Sequence, residues 1–152
     1  MNPAWQPLLR ALREPVAMAD FDLATWDRVV PMALWTGVLG RLAAQVQRLG
    51  LAQQLPPPVW RHLQSMLTVS EEQARAVRHE LRHLTLALQD LPGPVLLLKG
   101  AAYAAAGLPP AAGRVFGDID ILVPRGQIEA AEAALMLRGW VTQAKSAYDQ
   151  RY

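Results

Sequence analysis

The sequence predicts an α+β fold in which a helical N-terminal region, residues 1–92, packs on a small mixed β-sheet within residues 93–152. Three observations carry that prediction. Residues before Gly93 read as helices throughout, with apolar positions recurring at three- and four-residue spacing. Gly93-Pro94 breaks this pattern and releases a short apolar run, Val95-Leu96-Leu97-Leu98. Gly117-Asp118-Ile119-Asp120-Ile121-Leu122-Val123 then alternates polar and apolar residues with the two-residue period of a strand.

The elements follow in order. Asn2 to Glu14 reads as a short amphipathic helix, with Asn2 as a cap and Pro3 at the first helical position. Thr25 or Asp22 caps a second helix that begins around Trp26 and runs toward Val46. Pro31 is expected to kink or divide it, because proline removes a backbone donor, and Gly37 and Gly40 weaken its continuation. Leu55-Pro56-Pro57-Pro58 is a stiff break. The longest helical pattern follows, from about Val59 to Leu88. Its apolar stripe of Ala74, Val77, Leu81, Leu84, Leu88 and Leu91 should lie against what comes next. Val95 to Leu98 is expected to be a buried strand, and Lys99-Gly100-Ala101 a tight glycine turn into a short helix. Pro124 ends the second strand. Gln127 to Arg138 reads as a helix with Ile128, Ala131, Leu135 and Met136 inward, Gly139 stops it, and Trp140-Val141-Thr142 begins a third strand. Gln143 to Tyr152 carries no clear signal.

Composition narrows the function classes. At 152 residues, 52% of them hydrophobic, the chain is long enough for one domain with a real core and too apolar for disorder. The formal net charge is +2 and no block of like charges occurs, so the footprint of a dedicated nucleic-acid binder is missing. The lack of cysteine excludes disulfides and thiolate metal sites. There is no basic-then-apolar leader, and no apolar run approaches the roughly 18 residues of a membrane span. A cytoplasmic protein without a membrane partner is the expectation.

The chemistry concentrates between Val95 and Val123. Side chains two apart on a strand share a face, so Asp118 and Asp120 are expected to point one way while Ile119 and Ile121 enter the core. Paired carboxylates repel unless a cation sits between them, and hard oxygen donors of this kind suit Mg²⁺ shared with a substrate's phosphates. Each of these residues also has a plainer reading. Asp118 and Asp120 form a polar strand end, Gly100 a turn, Lys99 a strand terminus and Arg114 an ordinary loop cation.

Two competing features lie in the helical region. His79-Glu80-Leu81-Arg82-His83 spells the zinc-protease pattern, two His one turn apart with a Glu between them. Arg82 inside the motif, the lack of a later His and the surrounding Glu72, Arg75 and Arg78 favour a solvated face instead. Trp5, Trp26, Trp35 and Trp60 look exposed and would suit an interaction module, although core packing is the commoner fate of tryptophan.

Leu96-Leu97-Leu98-Lys99-Gly100-Ala101, then Gly113-Arg114-Val115-Phe116-Gly117-Asp118-Ile119-Asp120-Ile121-Leu122-Val123-Pro124, then Leu137-Arg138-Gly139-Trp140 at the end of a helix, resembles the bacterial nucleotidyltransferase-like proteins of the DNA polymerase β superfamily. The similarity is to their uncharacterised branch, and the leader from Trp26-Asp27-Arg28-Val29-Val30 through Leu39 resembles the helices that precede the core there. The resemblance implies a sheet of the nucleotidyltransferase type, with residues 93–152 forming an incomplete core. It further implies a nucleoside triphosphate whose phosphates meet Lys99, Gly100, Ala101 and Arg114, and Mg²⁺ held by Asp118 and Asp120 as catalytic residues. The acceptor would be a protein, a nucleic acid or a small molecule.

This sequence departs from the family in two ways. Ala101 stands where members often carry Ser after the glycine, which removes one hydroxyl contact. The superfamily's third carboxylate, from a later strand, has no clear counterpart among Glu129, Glu132 and Asp149. A truncated protein is the favoured expectation. The alternatives are Asp149 as the substitute, or a domain that no longer catalyses and serves as a binding or antitoxin-type module.

Overall fold

The computed structural model describes residues 3–141. In chain order these form the helices α1 (Gln6–Arg13), α2 (Leu23–Trp35), α3 (Leu39–Arg48) and α4 (Pro57–Leu88), the strand β1 (Leu96–Leu97), the helix α5 (Lys99–Ala105), the strand β2 (Ile121–Leu122) and the helix α6 (Ile128–Leu137). The α+β class holds, with helix dominant. Among the described residues the expected mixed sheet is one antiparallel pair, Leu96 opposite Leu122 and Leu97 opposite Ile121.

Apolar spacing explains the helical half. α1, α2, α3 and the first part of α4 surround a cluster whose centre is Met18, Trp26, Val29, Leu42, Val46 and Leu63, all essentially without solvent exposure. Each buried side chain of this size contributes about 1.5–3 kcal/mol by leaving water. Further along α4, Val77 and Leu88 are buried and Ala74, Leu81 and Leu84 half-buried, and this length of the helix packs on α5 and α6. One long helix therefore joins the core to the sheet.

Several local expectations are corrected. Asp22, not Thr25, caps α2: its carboxylate accepts from the Thr25 N–H at 2.8 Å, and the helix starts at Leu23, a turn before Trp26. Pro31 lies inside α2 without dividing it. The chain turns by 120° between α2 and α3, where Gly37 takes φ +70°. There the Gly37 N–H donates to Leu34 O and the Val38 N–H to Ala33 O, closing the helix end with the left-handed residue that glycine supplies most cheaply. Residues 3–5 form a short 3₁₀ turn ahead of α1, and the Asn2 cap lies outside the described residues.

In the second half the corrections concern burial. β1 is not buried on both faces: Leu96 is 52% exposed, as is its partner Leu122 at 53%, while Leu97 and Ile121 turn toward α4. A cavity of about 410 Å³ remains there, lined chiefly by Leu81, Leu84, Leu88, Val95, Leu97 and Ile121. α6 buries Ala131 and half-buries Leu135, but Ile128 and Met136 are exposed. The helix has α4 as its main neighbour, which covers only a narrow stripe, and Met136 falls off the arc shared by Ala131, Ala134 and Leu135. Trp140 and Val141 form no strand; the Trp140 N–H closes α6 on Leu135 O, and Thr142 lies outside the described residues.

The four tryptophans of the helical region divide. Trp26 is fully buried against Phe21, edge to face with ring centres 5.6 Å apart, so it belongs to the core. Trp35 is exposed and packs loosely on half-buried Trp5, and Trp60 is half-buried. No single helix among the described residues is long and apolar enough to cross a membrane.

Candidate functional site

Asp118 and Asp120 occupy an extended approach to β2 rather than a full strand. Only Ile121 and Leu122 pair in the ladder, but the Leu98 N–H donates to Asp120 O at 2.9 Å and carries the pairing one residue further. This bond brings the acidic segment beside the end of β1. Asp118 is exposed and Asp120 half-buried.

Lys99 stands opposite. Its ammonium donates to Asp120 Oδ1 at 2.8 Å, with the lysine side chain 68% exposed and that of Asp120 28%. The hydrogen bond it donates to Asp120 and then the charge of that carboxylate hold the lysine above its ordinary pKa; desolvation opposes this, and the charge of Asp118 adds to it. One ammonium thus feels both carboxylates. Lys99 also has φ +50°, a left-handed conformation that costs a non-glycine residue about 1–2 kcal/mol. Two successive residues, Leu98 and Lys99, therefore bond to one aspartate, and this holds the turn in place.

The glycine of the turn has a different task from the one expected. Gly100 lies inside α5 and is buried, and the positive φ falls on Lys99 instead. A Cβ on Gly100 would come within 3.0 Å of the Phe116 ring, so glycine is needed there for close approach. Phe116 is fastened from the other side too, because Gln73 on α4 donates through Nε2 to its carbonyl. Ala101 is also buried.

Arg114 is exposed and lies over the Tyr103 ring of α5, 6.0 Å from its centre, a cation–π arrangement. Among the described residues it forms no ion pair with Asp118 or Asp120. Its loop also meets the helical half at α3: the backbones of Gly40 and Gly113 touch, and a Cβ on either would collide with the other's carbonyl.

The structure thus brings together Lys99, Gly100, Asp118 and Asp120, and sets Arg114 over Tyr103 of α5. Three contributors were missed in the sequence: Gln73, Phe116 and the Gly40–Gly113 contact. Gln73 had a signal, since a polar residue four before Val77 on a core-facing stripe needs a partner. Gly40 and Gly113, 73 positions apart, had none.

The third carboxylate is not found here. Glu129 is exposed and Glu132 half-buried on α6, Asp149 lies outside the described residues, and among the described residues no group of three or more His, Cys, Asp or Glu forms a metal cage. That also removes the support for zinc-protease chemistry. His79 and His83 are exposed, with their Nε2 atoms 3.1 Å apart, and no third ligand joins them among those residues. The donors at the acidic pair are hard oxygens, and one of them, Asp120 Oδ1, already holds the Lys99 ammonium. Such a set fits a small divalent ion that takes its remaining ligands from phosphate and water.

Comparison with known proteins bears on this arrangement. The profile of a family described as uncharacterised nucleotidyltransferase matches residues 22–152. The chain belongs to that family. The match takes in the helical leader from Asp22 onward as well as the acidic segment, so in this nucleotidyltransferase-like protein α2, α3 and α4 are part of the family's unit. No curated protein and no solved structure matches the chain.

Proposed function

We propose that this nucleotidyltransferase-family protein transfers a nucleoside monophosphate from a nucleoside triphosphate to the hydroxyl of a protein, nucleic acid or small molecule. The supporting observation is that Asp118, Asp120 and Lys99 meet at the step from β1 into α5, in a chain of this family.

Asp118 and Asp120 would hold Mg²⁺, which when bound supplies positive charge to the phosphates. Lys99 and Arg114, both exposed, are the cations available to the triphosphate. The amides of Gly100 and Ala101, at the start of α5, would serve as secondary donors. The acceptor oxygen attacks the α-phosphorus in line, a P–O bond forms to it, and the bond to the β-phosphate breaks to release pyrophosphate. The attacking hydroxyl gives up its proton to bulk water as the new P–O bond forms. Because no third carboxylate joins the acidic pair among the described residues, a second reading remains open, nucleotide binding without transfer.

Calorimetric titration with each of the four ribonucleoside triphosphates in Mg²⁺ tests the proposal. Binding of at least one, abolished by Asp118→Ala plus Asp120→Ala, is expected. Binding unaffected by the double substitution overturns it. Pyrophosphate release then separates the two readings: its absence in a protein that binds favours the non-transferring one.

A further inference from the structure

Lys99 is an exposed lysine in a strained conformation, and its ammonium pairs with a carboxylate 2.8 Å away. A second carboxylate, Asp118, lies close enough to act on the same ammonium. Two carboxylates two residues apart repel each other, and a positive charge nearby relieves that repulsion whether or not substrate is present. The chain supplies one from the residue that opens α5.

We propose that Lys99 is the resident counter-cation of Asp118 and Asp120, holding the place of the divalent ion until a triphosphate arrives and then passing its ammonium to the phosphates. This inference rests on the reading above that the acidic pair is the metal site. A metal ion and an ammonium cannot both crowd the same carboxylate without repelling, so free metal has to displace Lys99 and binds weakly. A triphosphate changes the balance by offering the displaced ammonium a new anionic partner. Metal and triphosphate therefore assist each other's binding through this one side chain, and each raises the affinity for the other by the same factor. Lys99 in this role is a positioning and gating residue. Its left-handed φ fits the task, since a strained conformation at a functional turn is retained where the surrounding contacts hold it.

The test uses the full chain and two probes, Mn²⁺ alone, followed by electron paramagnetic resonance, and inorganic tripolyphosphate, followed by calorimetry. Lys99→Met keeps the length of the side chain and, at an exposed position, leaves the fold intact; circular dichroism checks this. Opposite changes are expected: Mn²⁺ alone binds about three- to tenfold more tightly to Lys99→Met, as expected for removing one competing charge, and tripolyphosphate with Mn²⁺ binds more weakly. Lys99→Arg, which keeps the charge, returns both toward wild type. If wild type binds Mn²⁺ and Lys99→Met binds it no more tightly, the counter-cation role is wrong while the acidic pair stands. If neither wild type nor Lys99→Met binds Mn²⁺, with or without tripolyphosphate, or Asp118→Ala plus Asp120→Ala leaves binding unchanged, the acidic pair is not the metal site and both the role and the reading beneath it fall.

Discussion

Asp120 is tied to the turn before α5 twice, its carbonyl accepting from Leu98 and its carboxylate from Lys99. The backbone bond survives any substitution, so Asp120→Asn should leave the unfolding midpoint nearly unchanged while removing the charge that holds a metal. Equal midpoints with loss of Mn²⁺ binding is the expected outcome. A large loss of stability would show that the carboxylate is structural. Asp22 makes the opposite kind of contribution. Hydrogen bonding from the Thr25 side chain and then from the Thr25 N–H, in the first turn of α2, lowers its pKa below the ordinary 3.8. A group with a depressed folded pKa stabilises fully above its unfolded value and loses that contribution as the pH falls through the folded one. Asp22→Ala should therefore lower the urea midpoint at pH 7, and the gap to wild type should close in strong acid, below the carboxylate's folded pKa. A gap independent of pH would contradict the cap.

At the scale of elements, the acidic segment is held by α4 and by the loop before it. Gln73 reaches from α4 to the Phe116 carbonyl, two residues ahead of Asp118. Gln73→Ala should cost about 1 kcal/mol, the net value of one hydrogen bond. Amide exchange should quicken over Gly117 to Ile119 more than elsewhere, and a uniform rise would place the bond's effect in global stability instead. The Gly40–Gly113 contact joins α3 to the Arg114 loop by backbone alone. Gly40→Ala forces two backbones apart and should destabilise by about 1–3 kcal/mol, in the manner of an overpacked core. These two joints explain what the sequence did and did not disclose. The boundaries of α4, the turn at Gly37 and the order of strand, lysine–glycine turn and Asp-x-Asp all rest on local spacing, and local spacing was readable. The site's supports rest on contacts between residues more than forty apart, Gln73 with Phe116 and Gly40 with Gly113, which no periodicity records. Pro31 misled for a related reason: the proline sits within a helix whose tertiary packing, through Trp26, Val29 and Ala33, outweighs one lost backbone bond.

Across the whole molecule, burial is unequal. The fully covered cluster runs from Leu8 to Leu67, whereas beyond it the buried hydrophobic residues are Val77, Leu88, Ala101 and Ala131, beside a cavity under the sheet. Burial of a continuously apolar strand requires a layer on each face, and among the described residues the outer face, with Leu96 and Leu122, has none; this is why a run that reads as core in the sequence is half-exposed in the structure. Stability should follow this division. Trp26→Ala should cost about 3–5 kcal/mol and unfold the protein as a unit. Native-state hydrogen exchange should show β1, β2 and α6 opening at lower free energy than α2 and α3, and equal protection in both halves would contradict this. The lightly packed half is also where the site sits, which leaves the Lys99 side chain free to move.

The proposed chemistry requires that Asp118, Asp120 and the turn at Lys99 form one place where a metal and a triphosphate meet. Paramagnetic broadening of amide resonances by Mn²⁺ in the presence of tripolyphosphate locates that place residue by residue. Broadening centred on residues 97–101 and 117–121 is the predicted result, and broadening centred on His79 and His83, or spread without a centre, would contradict it.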